Sequence, residues 1–479
     1  MLAFDGKIVF LYRRLHNTVN VLRVMHVARF YLLRRTAVRL YETSTLIFSR
    51  MADSARIPVI IDGIRTPFLK SGSAFKSLMA YDLARMAISG LLGQTGIRPA
   101  DVDQSILGTV IQEVRTANIA REAALAAGIP NGKPAHTVTM ACISSNMALT
   151  QAADAIRLGK AQAVVAGGTE TMSDVPIRVS RRLRKKLLEA QKYKSPLEFV
   201  KLLKGLRLSD LKPELPAIAE FSTGDTMGAS CDKLAAMFGI SREAQDAFAI
   251  SSHKRAAAAQ EAGFFAREVM PVQPEPGRDA IIHDNGVRPD SSPEKLAKLK
   301  PAFVKPYGTV TAANASFLTD GASAMLICSQ KRAEELGLTP KAIIRDELFI
   351  AQDPQHELLL GPAYALPKLL ERNKLKPSDI DVFEFHEAFA GQILANLSAL
   401  NSDSFMKEKA QISVAAFDMD MEKFNTRGGS LSIGHPFGAT GTRLVNTAAN
   451  RLRDENGSLA VIAACAAGGQ GHAMLIERI

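Results

Sequence analysis

Two stretches carry the reading of the fold. HTVTMACISSNMALTQAADAIRLGKAQAVVAGG runs from His136 to Gly168, and GHPFGATGTRLVNTAANRLRDENGSLAVIAACAAGG from Gly434 to Gly469. In the first, His136-Thr137-Val138-Thr139-Met140 has the β-branched make-up of a strand. Ser144 to Leu158 follows with Ala and Leu at helical spacing, and Gly159 stops it. Ala163-Val164-Val165-Ala166 reads as the next strand, ended by Gly167-Gly168. In the second stretch a helix opens at Gly434-His435-Pro436-Phe437-Gly438 and runs to about Arg453. Leu459 to Ala464 is then a strand, ended by Cys465 and Gly468-Gly469. Two helix–strand–diglycine units of similar length predict two related α/β halves, each with a mostly parallel sheet.

Outward from these units, Pro58-Val59-Ile60-Ile61 reads as a buried strand, so folded sequence is expected from about Arg56. Arg178 to about Pro301 breaks the alternation, being rich in charge and proline, and reads as a long insertion with helices of its own. Hydrophobic residues make up 47% and charged residues 22% of the 479, which excludes a disordered or collagen-like chain. No apolar run approaches the roughly 18 residues of a membrane-spanning helix. Four cysteines in a chain of this length make no disulfide framework.

The net charge of +11 is not spread evenly. Residues 1–50 hold nine basic residues and only Asp5 and Glu42 as acids, the composition of a mitochondrial transit peptide. The plainer alternative for them is a basic amphipathic arm. Arg178 to Lys212 adds twelve basic residues against three acidic ones. The remaining body is mildly acidic, so nucleic acid is not the expected partner.

The candidate chemistry sits where strands end, which is where sites gather in open α/β sheets. Cys142 lies between a strand and the helix from about Ser144, where helix N–H groups and the dipole are expected to lower its pKa toward a thiolate. Cys465 ends a strand and precedes Ala466-Ala467-Gly468-Gly469-Gln470-Gly471, whose backbone N–H groups can point at an oxyanion; Gly468 is the candidate donor. His386 ends Val382 to Phe385 and is expected to begin a helix with Glu387-Ala388-Phe389-Ala390. His435 sits in Gly434-His435-Pro436. All four are expected at strand-to-helix turns. Cys231 and Cys328 lie in no glycine-rich strand end and read as structural.

Together these motifs resemble the thiolase family. GSLSIGHPFGATG over Gly429 to Gly441 resembles its His motif, and CAAGGQGHA from Cys465 its C-terminal cysteine motif. GTVTAANASFLTDGASA from Gly308 resembles the segment along the pantetheine of coenzyme A, HEAFA from His386 the usual Asn-Glu-Ala-Phe, and MACISSNMAL the surroundings of the acyl-carrying cysteine. The resemblance covers about Pro58 to Ile479. His386 in place of Asn, Ala467 and Ala313 in place of glycines, and Ile-Ser-Ser-Asn after Cys142 resemble the long-chain branch found in mitochondrial trifunctional complexes.

That resemblance implies a thiolase fold, α/β, with two similar stacked α/β domains and an inserted loop domain. The implied layout is a transit peptide over 1–50, a first domain over 56–176 and 304–335, an insert over 177–303 and a second domain over 336–479. It implies 3-ketoacyl-CoA and CoA as substrates, a thiolase homodimer, and an α-subunit with hydratase and dehydrogenase activities in a hetero-oligomer at the matrix face of the inner mitochondrial membrane. Ser316 and Ala312 fall where the family contacts pantetheine.

Thiolysis needs a soft nucleophile, for which Cys142 is the candidate, with His435 taking its proton. Cys465 is the acid that protonates the departing enolate, and His435 and His386 are its oxyanion donors. CoA is a substrate; no cofactor is required and no metal site is expected, since these four residues lack a close-spaced ligand pair. A β-ketoacyl synthase would also use Cys-His-His, but Cys465 and Glu387 argue against it. A vestigial site in a structural subunit is opposed by the intact Cys142, His435 and Cys465. Leu183, Leu187 and Leu188 on one face of the basic insert, and Val200, Leu203 and Leu206–Leu208 on another, with Pro196 between them, suggest contact with anionic membrane lipid; the alternatives are a solvated loop domain whose leucines pack on the body and arginines that meet the phosphates of coenzyme A.

Overall fold

The computed structural model describes residues 55–479, except Ile218. The segment 1–50 therefore lies outside the described residues. Ile57–Ile479 form one compact unit.

Among the described residues, ten strands make up the sheet structure. They are β1 (Pro58–Arg65), β2 (Leu69–Lys70), β3 (Gln104–Gly108), β4 (Ala135–Val138), β5 (Ala163–Glu170), β6 (Thr319–Ser329), β7 (Ala342–Ala351), β8 (Val382–Phe385), β9 (Leu459–Ala466) and β10 (Gln470–Arg478). Their order is β4-β3-β5-β6-β1-β7-β10-β9-β8, with β2 paired to β6. The N-terminal half is β4-β3-β5-β6-β1 and the C-terminal half β7-β10-β9-β8. They meet where Val59 pairs with Ile343 and Ile60 with Ala342. The two halves are present, but each is mixed rather than mostly parallel. Only β3–β4, β3–β5 and β8–β9 are parallel. Each half adds long antiparallel strands, β1 and β6 in one, β7 and β10 in the other. The hairpin turn between β9 and β10 shows why: parallel pairing needs a crossover, which a few glycines cannot provide.

The principal helices are α1 (Ala80–Thr95), α2 (Ile119–Ala126), α3 (Ser144–Arg157), α4 (Arg181–Ala190), α5 (Met227–Met237), α6 (Arg242–Glu261), α7 (Gln330–Glu335), α8 (Gly361–Asn373), α9 (Ala390–Leu400) and α10 (Thr440–Asp454). Ala148, Leu149, Ala152, Ala153 and Ile156 of α3 share a buried cluster with Leu444, Val445, Ala448, Ala449 and Leu452 of α10. That cluster includes Ile106, Val164 and Ile327 of one half and Val382, Ile462 and Met474 of the other, so both halves share this core. Each fully buried Leu, Ile, Val or Met side chain there contributes roughly 1.5–3 kcal/mol. The small residues of α3 bring its first turn against that of α10. A side chain on Gly441 would collide with Asn146 Oδ1.

Three local expectations are corrected. Gly167-Gly168 do not end β5, which continues to Glu170. They strip it of side chains where other backbone crosses: a Cβ on Gly168 would collide with the Gly438 carbonyl. Residues 386–389 are not helical; α9 begins at Ala390. The loop at Gly434 to Ala439 separates a short turn of helix, Ser430–Ile433, from α10. The insertion between β5 and β6 contains α4, α5 and α6, with a short helix Val200–Leu203 following Pro196 as expected. Among the described residues no helix is long and apolar enough to cross a membrane.

Candidate active site

Cys142 is delivered by a tight turn after β4. Ala141 adopts a left-handed φ of 47°, uncommon for a residue with a Cβ. The turn is held by Ser144, whose Oγ accepts from the Met140 N–H at 2.8 Å and donates to the Ala141 carbonyl at 2.7 Å. His435 sits on the loop that crosses β5. Gly434, at φ 114°, turns the chain into it, and the His435 N–H donates to Thr319 Oγ1 at 3.0 Å. His386 follows β8, with its N–H on the Ala463 carbonyl at 2.8 Å. Cys465 lies within β9, opposite Gly471 of β10. Thus only Cys142 occupies the expected strand-to-helix turn. His386 lies in a strand-to-loop connection, His435 between two helices, and Cys465 beside a hairpin.

These four elements bring the expected groups together. Cys142 and the ring nitrogens of His386 and His435 have ligand atoms within 4.8 Å of one another. The two imidazoles lie 4.1 Å apart, centroid to centroid. Both are buried, and among the described residues neither Nε2 has a hydrogen-bond partner. Three such ligand atoms suit a metal in composition, a cluster that sequence spacing concealed. The fully buried Arg443 guanidinium nearby opposes a resident cation there, since it already disfavours positive charge on both rings.

The tautomer of His435 follows from its partners. Its Nδ1 lies 2.7 Å from Thr440 Oγ1, and that hydroxyl gives its one proton to the Pro436 carbonyl at 3.0 Å. With that proton on the carbonyl, Thr440 Oγ1 accepts from Nδ1–H and leaves a lone pair on Nε2. Burial first, and then Arg443, push its pKa down to about 3. His435 is therefore neutral, with Nε2 unpartnered among the described residues and a ring nitrogen within 4.8 Å of the Cys142 sulfur. Burial, the neighbouring His435 and Arg443 likewise hold His386 well below the usual range.

The cysteines depart from expectation. Burial pushes the Cys142 thiol up to about 12, outweighing the N–H groups of Ala467 and of Cys142 itself that hydrogen-bond the sulfur. The residue retains some exposure, but desolvation of a thiolate costs more than a helix terminus and two donors return. Cys142 therefore rests as a thiol and must hand its proton over as it attacks. Cys328 is also pushed to about 12 inside β6, so the shift does not mark the nucleophile; the partners do. Cys465 is raised too, by burial and by Cys142, and rests protonated. Cys231 and Cys328 are fully buried.

Gly468 is a second correction. Its φ of 83° turns its N–H away from the sulfur and onto Glu220 Oε1 of the insert, at 3.0 Å. The donor facing Cys142 is Ala467. Ser316, half-buried, and Ala312, exposed, lie on the loop before β6, where the Ser316 N–H binds the Ala388 carbonyl at 2.9 Å. That loop is braced by Asn314, which donates to Asp246 Oδ1 at 2.9 Å and to the Thr309 carbonyl at 3.1 Å.

Several supporting roles escaped the sequence reading. Glu170, buried at the end of β5, accepts from the N–H groups of Val110, Ile111 and Gly438 at 3.0–3.1 Å and from Thr109 Oγ1 at 3.3 Å. It ties the His435 loop to the end of β3. Burial pushes its carboxyl up to about 7. Glu387 accepts from Ser252 Oγ at 2.7 Å and Asn425 Nδ2 at 2.8 Å, bracing the turn that carries Ser430. An acid two residues beyond a diglycine was the available signal for Glu170. Nothing in the sequence singled out Ser430, Thr440 or Arg443.

Residues 58–331 match the model of the thiolase N-terminal domain, and residues 338–478 that of the thiolase C-terminal domain. The mitochondrial trifunctional enzyme subunit beta of Bos taurus is 57% identical over 423 residues, 88% of each chain. Among solved structures, the acetyl-CoA acetyltransferase of Bacillus anthracis superposes with a TM-score of 0.76 at 31% identity, over 89% of this chain and 100% of its own. Human mitochondrial 3-ketoacyl-CoA thiolase in complex with CoA gives 0.75 at 30% identity, over 89% and 99%.

Proposed function

We propose that this chain, which belongs to the thiolase family, is a 3-ketoacyl-CoA thiolase that works through an acyl-thioester on Cys142. It is an acyltransferase of fatty acid β-oxidation, and its place is mitochondrial. The observation that carries the assignment of roles is the convergence of one thiol with the open Nε2 atoms of two neutral histidines.

The reaction closes on these groups. Cys142 Sγ attacks the C3 carbonyl as His435 Nε2 takes its proton. The Ala467 and Cys142 N–H groups meet the oxyanion at C3. The C2–C3 bond then breaks, leaving its electron pair on C2 as the enolate of acetyl-CoA. His386 and the protonated His435 face that enolate oxygen, and the Cys465 thiol protonates C2. In the second half, Cys465 thiolate takes the proton of free CoA, whose sulfur attacks the acyl-Cys142 carbonyl. Cys142 leaves and recovers its proton from His435. One C–C bond has become one C–S bond, one CoA is consumed, and no electrons are exchanged with a cofactor. Ser316 and Ala312 are the proposed pantetheine contacts.

The finer setting belongs to the same proposal: a thiolase homodimer joined to an α-subunit carrying hydratase and dehydrogenase activities, at the matrix face of the inner membrane. The insert supports a lipid contact. Leu188, Leu197 and Leu208 are 62%, 83% and 89% exposed among its basic residues. Leu183, expected on the same face as Leu187 and Leu188, is half-buried and so belongs to the protein side. Salt-sensitive binding to cardiolipin vesicles tests the contact. Changing Arg181, Arg182, Arg184, Lys185 and Lys186 to Gln should weaken it without slowing thiolysis of a short substrate. Undiminished binding refutes it.

The decisive test of the reaction is mass spectrometry of enzyme mixed with a 3-ketoacyl-CoA. The shortened acyl group should appear on Cys142, and Cys142→Ala should form no adduct and no acetyl-CoA. An adduct elsewhere, or turnover by the variant, overturns the mechanism.

A further inference from the structure

The two active-site histidines look alike in sequence, but their environments differ in a way that assigns them opposite proton arrangements. The His435 Nδ1 partner is a hydroxyl with a second acceptor in reach, the Pro436 carbonyl at 3.0 Å. The His386 Nδ1 partner, Ser430 Oγ at 3.0 Å, has no such outlet. Its other side-chain contact is Arg443 Nη2, also at 3.0 Å. A guanidinium has only donors to offer. Ser430 Oγ therefore accepts from Arg443 and retains one proton. Among the described residues the only acceptor offered to that proton is the His386 Nδ1 lone pair.

We infer that Arg443 and Ser430 form a positioning relay that fixes His386 as the Nε2–H tautomer, making it a donor to the enolate oxygen while His435 stays a base. The inference rests on the thiolysis reading above. Two features make the relay rigid. Ser430 and Arg443 are at most 1% exposed, so neither hydroxyl nor guanidinium can turn to water. Arg443 is carried by α10, one turn beyond Thr440, so a single helix sets both histidines. Arg443 Nε and Nη1 have no hydrogen-bond partner among the described residues, and Glu384 Oε2 is 3.9 Å from Nη1. The Ser430 contact is thus the hydrogen bond that orients the guanidinium. The opposite tautomer of His386 would give both Ser430 lone pairs to donors and leave its buried proton without a partner. It would also aim the Nε2 lone pair at developing negative charge.

The consequence is a division of labour between chemically identical side chains. Thr440, backed by a carbonyl, makes His435 an acceptor; Ser430, backed by a cation, makes His386 a donor. An Asn at position 386 would carry its own N–H donors and need no such relay.

A double-mutant cycle between Ser430→Ala and His386→Asn tests this in the full-length enzyme. Ser430→Ala should lower kcat for thiolysis by about 10- to 10²-fold, approaching the loss of one oxyanion donor, with KM for CoA changed less than about twofold. In the His386→Asn background the same substitution should cost less than about threefold. Equal cost in both backgrounds means that Ser430 acts only on packing, and overturns the relay. Tautomer-sensitive two-bond 1H–15N spectra of histidine-labelled enzyme supply an independent reading, with His386 identified by its absence in His386→Asn. The wild type should show Nε2–H at His386, and Ser430→Ala should shift it toward Nδ1–H. An Nδ1–H wild type, or an unchanged tautomer in Ser430→Ala, also overturns the inference. Wild-type enzyme that forms no acyl-Cys142 would instead refute the underlying reaction, so the two failures are distinguishable.

Discussion

Replacing Thr440 by Val isolates the base function of His435. Thr440 is fully buried, and its Oγ1 is 2.7 Å from His435 Nδ1. Val has nearly the same shape, so the substitution removes an acceptor rather than volume. The Nδ1–H that Thr440 accepts is left buried without a partner, at a cost of about 1–3 kcal/mol. The ring escapes that cost by moving its proton to Nε2. It then presents a proton, not a lone pair, to the Cys142 thiol, which cannot ionise unaided because burial holds it near 12. The base-competent population should drop by roughly 5- to 150-fold, and acylation with it. Rapid-quench single turnover, with enzyme in excess over 3-ketoacyl-CoA and acyl-Cys142 followed by intact mass, reads this step directly. Thr440→Ser, which keeps the hydroxyl, should stay within about threefold of wild type. Wild-type acylation by Thr440→Val, with an unchanged melting profile, would refute the tautomer argument and remove His435 as the proton acceptor.

Other outcomes follow from the same geometry. Cys465→Ala should still acylate Cys142 in part but lose turnover by roughly 10²–10⁴, with slowed hydrogen exchange at Cα of bound acetyl-CoA; unchanged exchange would exclude Cys465 as the acid. His386→Asn should remain active, whereas His386→Ala should lose roughly 10²–10³; equal rates for the two would show that this side chain donates nothing. Glu170, pushed to about 7 by burial, loses its acceptor form as pH falls through that value. Its grip on the Gly438 N–H weakens in the acid direction, so wild-type kcat should fall as pH drops below about 7, toward the level of the neutral variant. Glu170→Gln should show a lower kcat without that limb, and an identical pH profile would clear Glu170 of the role.

The residues that the fold gathers around Cys142 were legible because they are rare types in marked positions. A cysteine before a helix, a histidine between glycines and a cysteine before a glycine-rich turn are local signals, and the motifs around them carry the family. The basic insert and the strand at Pro58 were legible for the same reason, since charge runs and apolar runs are properties of neighbouring residues. What proved wrong or hidden was non-local. Gly167-Gly168 look like a strand end along the chain, yet Gly168 makes room for the Gly438 backbone and Gly167 for the Ser323 carbonyl of β6. Cys142 next to a helix start looks like a thiolate, yet its charge state is set by how completely the surrounding elements exclude water. The choice of Ala467 over Gly468 as the donor at the sulfur depends on the φ angle of a hairpin and on Glu220, 248 positions away. Two histidines whose proton positions the sequence left open are separated into acceptor and donor by a threonine backed by a carbonyl and a serine backed by an arginine. Sequence determines which groups are available for chemistry. Proton positions depend on solvent exclusion and on hydrogen-bond partners drawn from separate strands and helices, and only the folded chain brings those partners within 3 Å.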